Sequence, residues 1–151
     1  MITIGFRAGP KTVSFAVYDS ENLRVINIED LRIPAAFAIP DALKYVRSNI
    51  LDIMREYDVK QAGIRTTEPF AKATNEFRVQ VEGVIQEAFA SSSLESYFVG
   101  HIAVISAILN VDKTEFKPII DGRNDFDIEG WSAMTKERRE AVLTAIGAVN
   151  A

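Results

Sequence analysis

Apolar and polar residues alternate from the first positions of the chain: Ile2, Ile4 and Phe6 against Thr3, Gly5 and Arg7. That is the two-residue period of a half-buried strand. Ala8-Gly9-Pro10-Lys11 has turn chemistry, and Val13, Phe15 and Val17 then restart the alternation. A second turn at Asp19-Ser20-Glu21-Asn22 leads into Leu23, Val25, Ile26 and Ile28. Three strands joined by short turns predict an antiparallel meander. The period changes at Pro40-Asp41, a favourable helix opening. Leu43, Val46, Ile50, Ile53 or Met54, and Tyr57 then recur at three- and four-residue steps, one face of a helix.

Residues 59–66 read as a short strand and 67–74 as a polar connection. A second amphipathic helix follows over about 75–90, with Phe77, Val81, Val84 or Ile85, and Ala88 on its face, ended by Ser91-Ser92-Ser93. Tyr97-Phe98-Val99 predicts a fifth strand, and 102–109 a short apolar helix. Residues 111–131 read as an irregular acidic insertion, with Asp121, Asp125, Asp127 and Glu129 around Gly122 and Gly130. Thr135 caps a final helix with Val142, Ala145, Ile146 and Val149 on its buried face. A meander followed by strand–helix alternation implies an α/β fold, a mixed five-stranded sheet flanked by helices, in a single domain over 1–151.

Composition narrows the chemistry. The 151 residues are 48% hydrophobic and 25% charged, a globular balance. Cysteine is absent, which excludes disulfides and thiolate chemistry and disfavours zinc. His101 is the sole histidine, so no scheme that needs two imidazoles is available. The net charge of -4 gives the whole molecule no strong attraction for a polyanion, although a local basic patch is compatible with it. The N-terminus lacks the basic region and apolar run of a signal peptide, and no run approaches the roughly 20 apolar residues of a membrane span. A cytoplasmic protein with no membrane partner is expected.

Three segments carry a family resemblance. Ile4-Gly5-Phe6-Arg7-Ala8-Gly9, Ala62-Gly63-Ile64-Arg65 and Phe98-Val99-Gly100-His101-Ile102 resemble the first, fourth and fifth strands of the ribonuclease H-like superfamily. Their nearest likeness is the RuvC/YqgF-type resolvase branch, over roughly residues 1–110. The resemblance implies a nuclease that holds two divalent cations with clustered Asp and Glu. Here Arg7 stands at the first aspartate of the pattern and Arg65 at the strand-four glutamate. A guanidinium offers no oxygen ligand to a hard cation. The resemblance leaves Glu68 and Glu140 as residual carboxylates, and it makes the first and fourth strands neighbours. Two adjacent guanidiniums repel unless an anion or carboxylate lies between them.

Two readings of the arginines follow. In one, Arg7 and Arg65 form an anion site widened by Lys11, Lys72 and Arg78, gripping phosphate oxygens. In the other, each arginine pairs with an acid such as Glu68 or Glu140. Asp125-x-Asp127-x-Glu129-Gly130 has the look of a calcium loop, but Lys136 falls where the bidentate acid belongs, so a solvated acidic loop is expected. His101 reads as a cap or packed side chain, and Trp131 as the anchor of its loop. The expected function is therefore a noncatalytic ribonuclease H-like domain, a pseudonuclease without metal or cofactor, that binds nucleic acid or a protein. The alternatives are a divalent-metal nuclease resembling Holliday junction resolvases and a homodimeric interaction module that uses an apolar face left on the second or last helix.

Overall fold

Residues 1–151 are described by a computed structural model. The meander is formed by β1 (Ile2–Ala8), β2 (Thr12–Asp19) and β3 (Arg24–Arg32). After it come α1 (Ile39–Glu56), β4 (Gln61–Arg65), α2 (Glu76–Ser91), β5 (Ser96–Gly100), α3 (Ile102–Ile108), α4 (Lys113–Ile120) and α5 (Lys136–Gly147). The sheet order is β3-β2-β1-β4-β5, with β1 antiparallel to β2 and parallel to β4, and β4 parallel to β5. The α/β reading and its five-stranded mixed sheet hold. No helix is long and apolar enough to cross a membrane.

Two cores lie on opposite faces of the sheet. Ile4, Phe6 and Ile64 pack with Val46, Ile50, Ile85 and Phe89 beneath α1 and α2. Ala16 and Tyr18 pack with Phe116, Trp131 and Leu143 beneath α4 and α5. The strict alternation in β1 predicted a half-buried strand, yet Thr3, Gly5 and Arg7 are buried as well. Their small or paired side chains admit α5 to the second face. A Cβ on Gly5 would lie 2.2 Å from the Ala141 carbonyl oxygen and 2.3 Å from the Ala145 nitrogen. Thr3 Oγ1 donates to the Ala145 carbonyl at 2.7 Å on the same crossing. Helix α5 is covered along most of its length, including Arg139, Glu140 and Thr144, so it retains no apolar face for self-association.

The expectation of an irregular insertion over 111–131 is corrected by α4. Phe116, Ile119 and Ile120 form its buried face at helical spacing, and the Asp112 side chain caps it by accepting from the Thr114 N–H at 2.9 Å. Pro118, inside the helix, masked the pattern because proline argues against a helical interior. The remainder is a loop that turns through positive φ at Gly122, Asp127 and Gly130. Trp131 anchors it, with Nε1 donating to the Ile119 carbonyl at 3.2 Å. Arg139 of α5 completes the anchor by donating to the carbonyls of Trp131, Ile120 and Ser132.

The first turn of α5 is tied to β3 by Arg138, which donates to Asp30 from Nε and Nη2 at 3.2 Å each, while Ser14 Oγ donates to Asp30 at 2.7 Å. Burial raises the Asp30 carboxyl, but hydrogen bonds from Arg138 and Ser14 outweigh it and hold the group below the usual range. A depressed folded value stabilises the fold above the unfolded pKa of about 3.9 and is lost as pH falls through the folded value. Asp30→Asn is therefore expected to flatten the stability profile below about pH 4 by a surface-scale ~0.2–1 kcal/mol. Urea denaturation at stepped pH checks this.

Candidate functional site

The carboxyl ends of β1 and β4 place Arg7 and Arg65 directly opposite each other in register. Adjacent strands are only about 4.8 Å apart. Both side chains follow Gly5 and Gly63 onto the α5 face, and both are buried, at 7% and 5% exposure. Glu140, 3% exposed, enters from α5 between them. Its Oε2 lies 3.0 Å from Arg7 Nε and 3.1 Å from Arg65 Nε. These contacts are close in distance but not aligned as hydrogen bonds, since none of the three atoms makes one. The attraction there is coulombic rather than directional.

Other groups hold the guanidiniums in place. Arg7 Nη1 donates to the Arg65 carbonyl at 3.3 Å, and Arg65 Nη1 donates to the Thr66 carbonyl. Arg65 Nη2 lies 3.5 Å from Glu68 Oε1, an oxygen that also accepts from the Ile102 N–H at 2.9 Å. Arg7 Nη1 lies 3.9 Å from Glu82 Oε2. Glu82 is fixed in turn by Thr67, whose N–H and Oγ1 donate to it at 3.0 and 2.7 Å. Arg78 is half-buried and donates from Nε to the Ala8 carbonyl at 2.7 Å. Burial first, then the Arg7 charge, pushes the Arg65 and Arg78 guanidiniums below their usual range, with Glu140 pulling the other way. An arginine nonetheless keeps its proton in a protein.

Three guanidiniums thus meet three carboxylates in one charge-balanced cluster. The pairing of Arg7 and Arg65 with Glu140 and Glu68 is the geometry of the second sequence reading. Lys11 and Lys72 stand apart from the cluster. Both are exposed and ion-paired to nothing, Lys11 in the turn after β1 and Lys72 in the loop after β4. Lys11 borders an apolar cavity of about 250 Å³ lined by Ile33, Pro34, Phe37, Ile39 and Phe77. In the same loop as Lys72, Phe70 is 95% exposed.

Glu82 escaped the sequence reading. It follows Val81, precedes Ile85 by three and follows Arg78 by four, which puts it on the buried face of α2. A glutamate at such a position was the available signal. His101 precedes α3 without capping it, and Nδ1 instead lies 3.1 Å from Thr66 Oγ1. Two acids of the 121–129 loop are locally paired. Asp121 pairs with Lys117 and Asp125 with Arg123, and none reaches Arg7 or Arg65.

The donor set does not fit a divalent cation. Glu140 offers its inner oxygen to two guanidiniums, and both oxygens of Glu82 accept from Thr67. Nowhere do three or more Asp, Glu or His side chains converge as a metal site.

Two solved structures are similar to this chain. One is Thermus thermophilus RuvC, with a TM-score of 0.75, 10% identity, and coverage of 97% of this chain and 92% of that one. The fold is ribonuclease H-like. The other is T. thermophilus RuvC in complex with Holliday junction substrate, with a TM-score of 0.72, 12% identity and the same coverage. No family model matches the sequence, and no curated protein matches it. At such identities the ribonuclease H-like likeness is one of backbone, not of active-site residues.

Proposed function

We propose that this chain is a noncatalytic ribonuclease H-like domain that binds nucleic acid without cutting it. The observation that carries the reading is Glu140 Oε2 held between Arg7 and Arg65, at 3.0 and 3.1 Å. A self-neutralised ion cluster of this kind supports the reading that Arg7 and Arg65 stand in for the metal-binding carboxylates that the resemblance implies. Arg7, Arg65 and the half-buried Arg78 are balanced by Glu140, Glu82 and Glu68, so phosphate contact falls chiefly to the exposed, unpaired Lys11 and Lys72 of the anion site, with Arg78 at its edge. Two further features support nucleic acid over protein as the partner. Phe70 offers an exposed ring beside Lys72, the pairing of aromatic and cation that single strands stack on. A similar fold, RuvC, has been solved with Holliday junction substrate.

Fluorescence anisotropy of labelled single-stranded, duplex and branched DNA, at low and physiological salt, tests this. Binding is expected to weaken steeply with salt, because released counterions drive it. Lys11→Ala with Lys72→Ala is expected to weaken every sequence alike and to reduce the salt slope by about 2, roughly 1 per lost phosphate contact. No binding at low salt, or binding indifferent to both lysines, would transfer the role to a protein partner.

A further inference from the structure

The cavity of about 250 Å³ beside the β1–β2 turn lies on the α1 and α2 side of the sheet. Its walls come from four places: Pro10 and Lys11 of the turn, Ile33, Pro34 and Phe37 of the connection into α1, Ala42 of α1, and Phe77 of α2. Those walls are fixed in advance of any ligand. The Ile33 N–H donates to the Lys11 carbonyl at 3.0 Å, and the Phe37 N–H donates to the Pro34 carbonyl at 3.2 Å. Proline locks its own backbone at positions 10 and 34. The Phe37 ring meets Tyr45 edge-on, with centroids 5.6 Å apart. Phe37 and Ile39 are 43% and 51% exposed, which puts them at the mouth.

Lys11 carries the only polar side chain of the lining, and it is exposed and unpaired. A nucleobase has donors and acceptors around its edge and would lose their hydration against such walls without compensation. A phenyl ring or short aliphatic chain has nothing to lose there. The volume falls just below the roughly 300–1,000 Å³ of drug-sized sites, which suits one ring rather than a whole nucleotide. A single lysine balances a single negative charge, whereas a phosphate monoester carries about -1.5 to -2. We propose that this cavity binds a small amphipathic carboxylate, its apolar part against Ile33, Phe37 and Phe77 and its anionic group on Lys11. The site is independent of nucleic-acid binding, although both use Lys11.

Titration of the isotope-labelled chain with phenylbutyrate, followed through backbone amide shifts, tests the proposal. Saturable shifts are expected at Lys11, Ile33, Ala35, Ala42 and Phe77, with a Kd in the millimolar range usual for a single-ring ligand. Uncharged phenylbutyramide is expected to bind roughly threefold to tenfold more weakly, the range of one ion pair at a partly wet rim. Lys11→Gln, an exposed change that leaves the core untouched, is expected to weaken phenylbutyrate by the same factor and phenylbutyramide by none. Inorganic phosphate is expected to leave the Ala42 and Phe77 amides unmoved. No saturable shift, shifts scattered away from these walls, or acid and amide that bind alike would each overturn the proposal, as would phosphate moving the same amides as phenylbutyrate.

Discussion

Replacing Glu140 with alanine is expected to destabilise the fold by ~3–5 kcal/mol, because it strands two buried guanidiniums against each other. Arg7 and Arg65 are 7% and 5% exposed, so water cannot take over the role of the carboxylate. For a domain of this size the loss corresponds to roughly 6–20 °C in Tm. The cost lies in the broken pair, not in the absence of charge. Arg7→Met, Arg65→Met and Glu140→Leu together, with Glu82→Gln to keep the remaining charges balanced, are expected to restore stability to within about 1–2 kcal/mol of the wild type, since a buried ion cluster is often matched by apolar packing. Guanidinium denaturation of the single and combined variants checks both statements. A Glu140→Ala cost below about 1 kcal/mol would mean that the guanidiniums are not held as the ion-pair distances indicate.

The second large effect concerns the helix that delivers Glu140. Gly5→Ala is expected to cost at least ~3 kcal/mol, at or above the usual range for overpacking. The added methyl would meet the backbone of Ala141 and Ala145 at 2.2 and 2.3 Å, and backbone cannot swing aside like a flexible side chain. Helix α5 would have to lift from β1, carrying Glu140 away from Arg7. Gly83→Ala on α2 is the control. Nothing lies within 4 Å of its Cβ, and helix propensity alone predicts a gain of about 0.5–1 kcal/mol. Thermal unfolding of the two variants separates close packing from propensity.

Much of this arrangement could be read from the chain. The alternation of Ile2, Ile4 and Phe6 gave β1, the periodicity through Val46 and Ile50 gave α1, and the element order gave the sheet. The meeting of Arg7 and Arg65 followed from β1 and β4 being parallel neighbours, a consequence of topology rather than of either residue. What resisted reading was polar burial. Apolar counting passed over Glu82 on α2, and it reduced α5 to four apolar residues when Arg139, Glu140 and Thr144 are buried too. Periodicity registers which positions face inward only when those positions are apolar. A charge buried against a partner distant in sequence leaves no local trace, and Glu140 came forward as a partner of Arg7 through the resemblance rather than through periodicity. Pro118 concealed α4 for the converse reason, a local signal overridden by the packing of Phe116, Ile119 and Ile120.

A cleavage assay tests most directly whether this domain cuts the nucleic acid it binds. The protein is incubated with branched, duplex and single-stranded DNA and RNA in magnesium or manganese, and the products are resolved on a denaturing gel. Every substrate is expected to stay intact under conditions where anisotropy shows it bound. Metal-dependent cleavage that vanishes in Glu68→Gln, the most accessible carboxylate of the cluster, would contradict that expectation. That result would show that the carboxylates around Arg7 and Arg65 hold a cation after all.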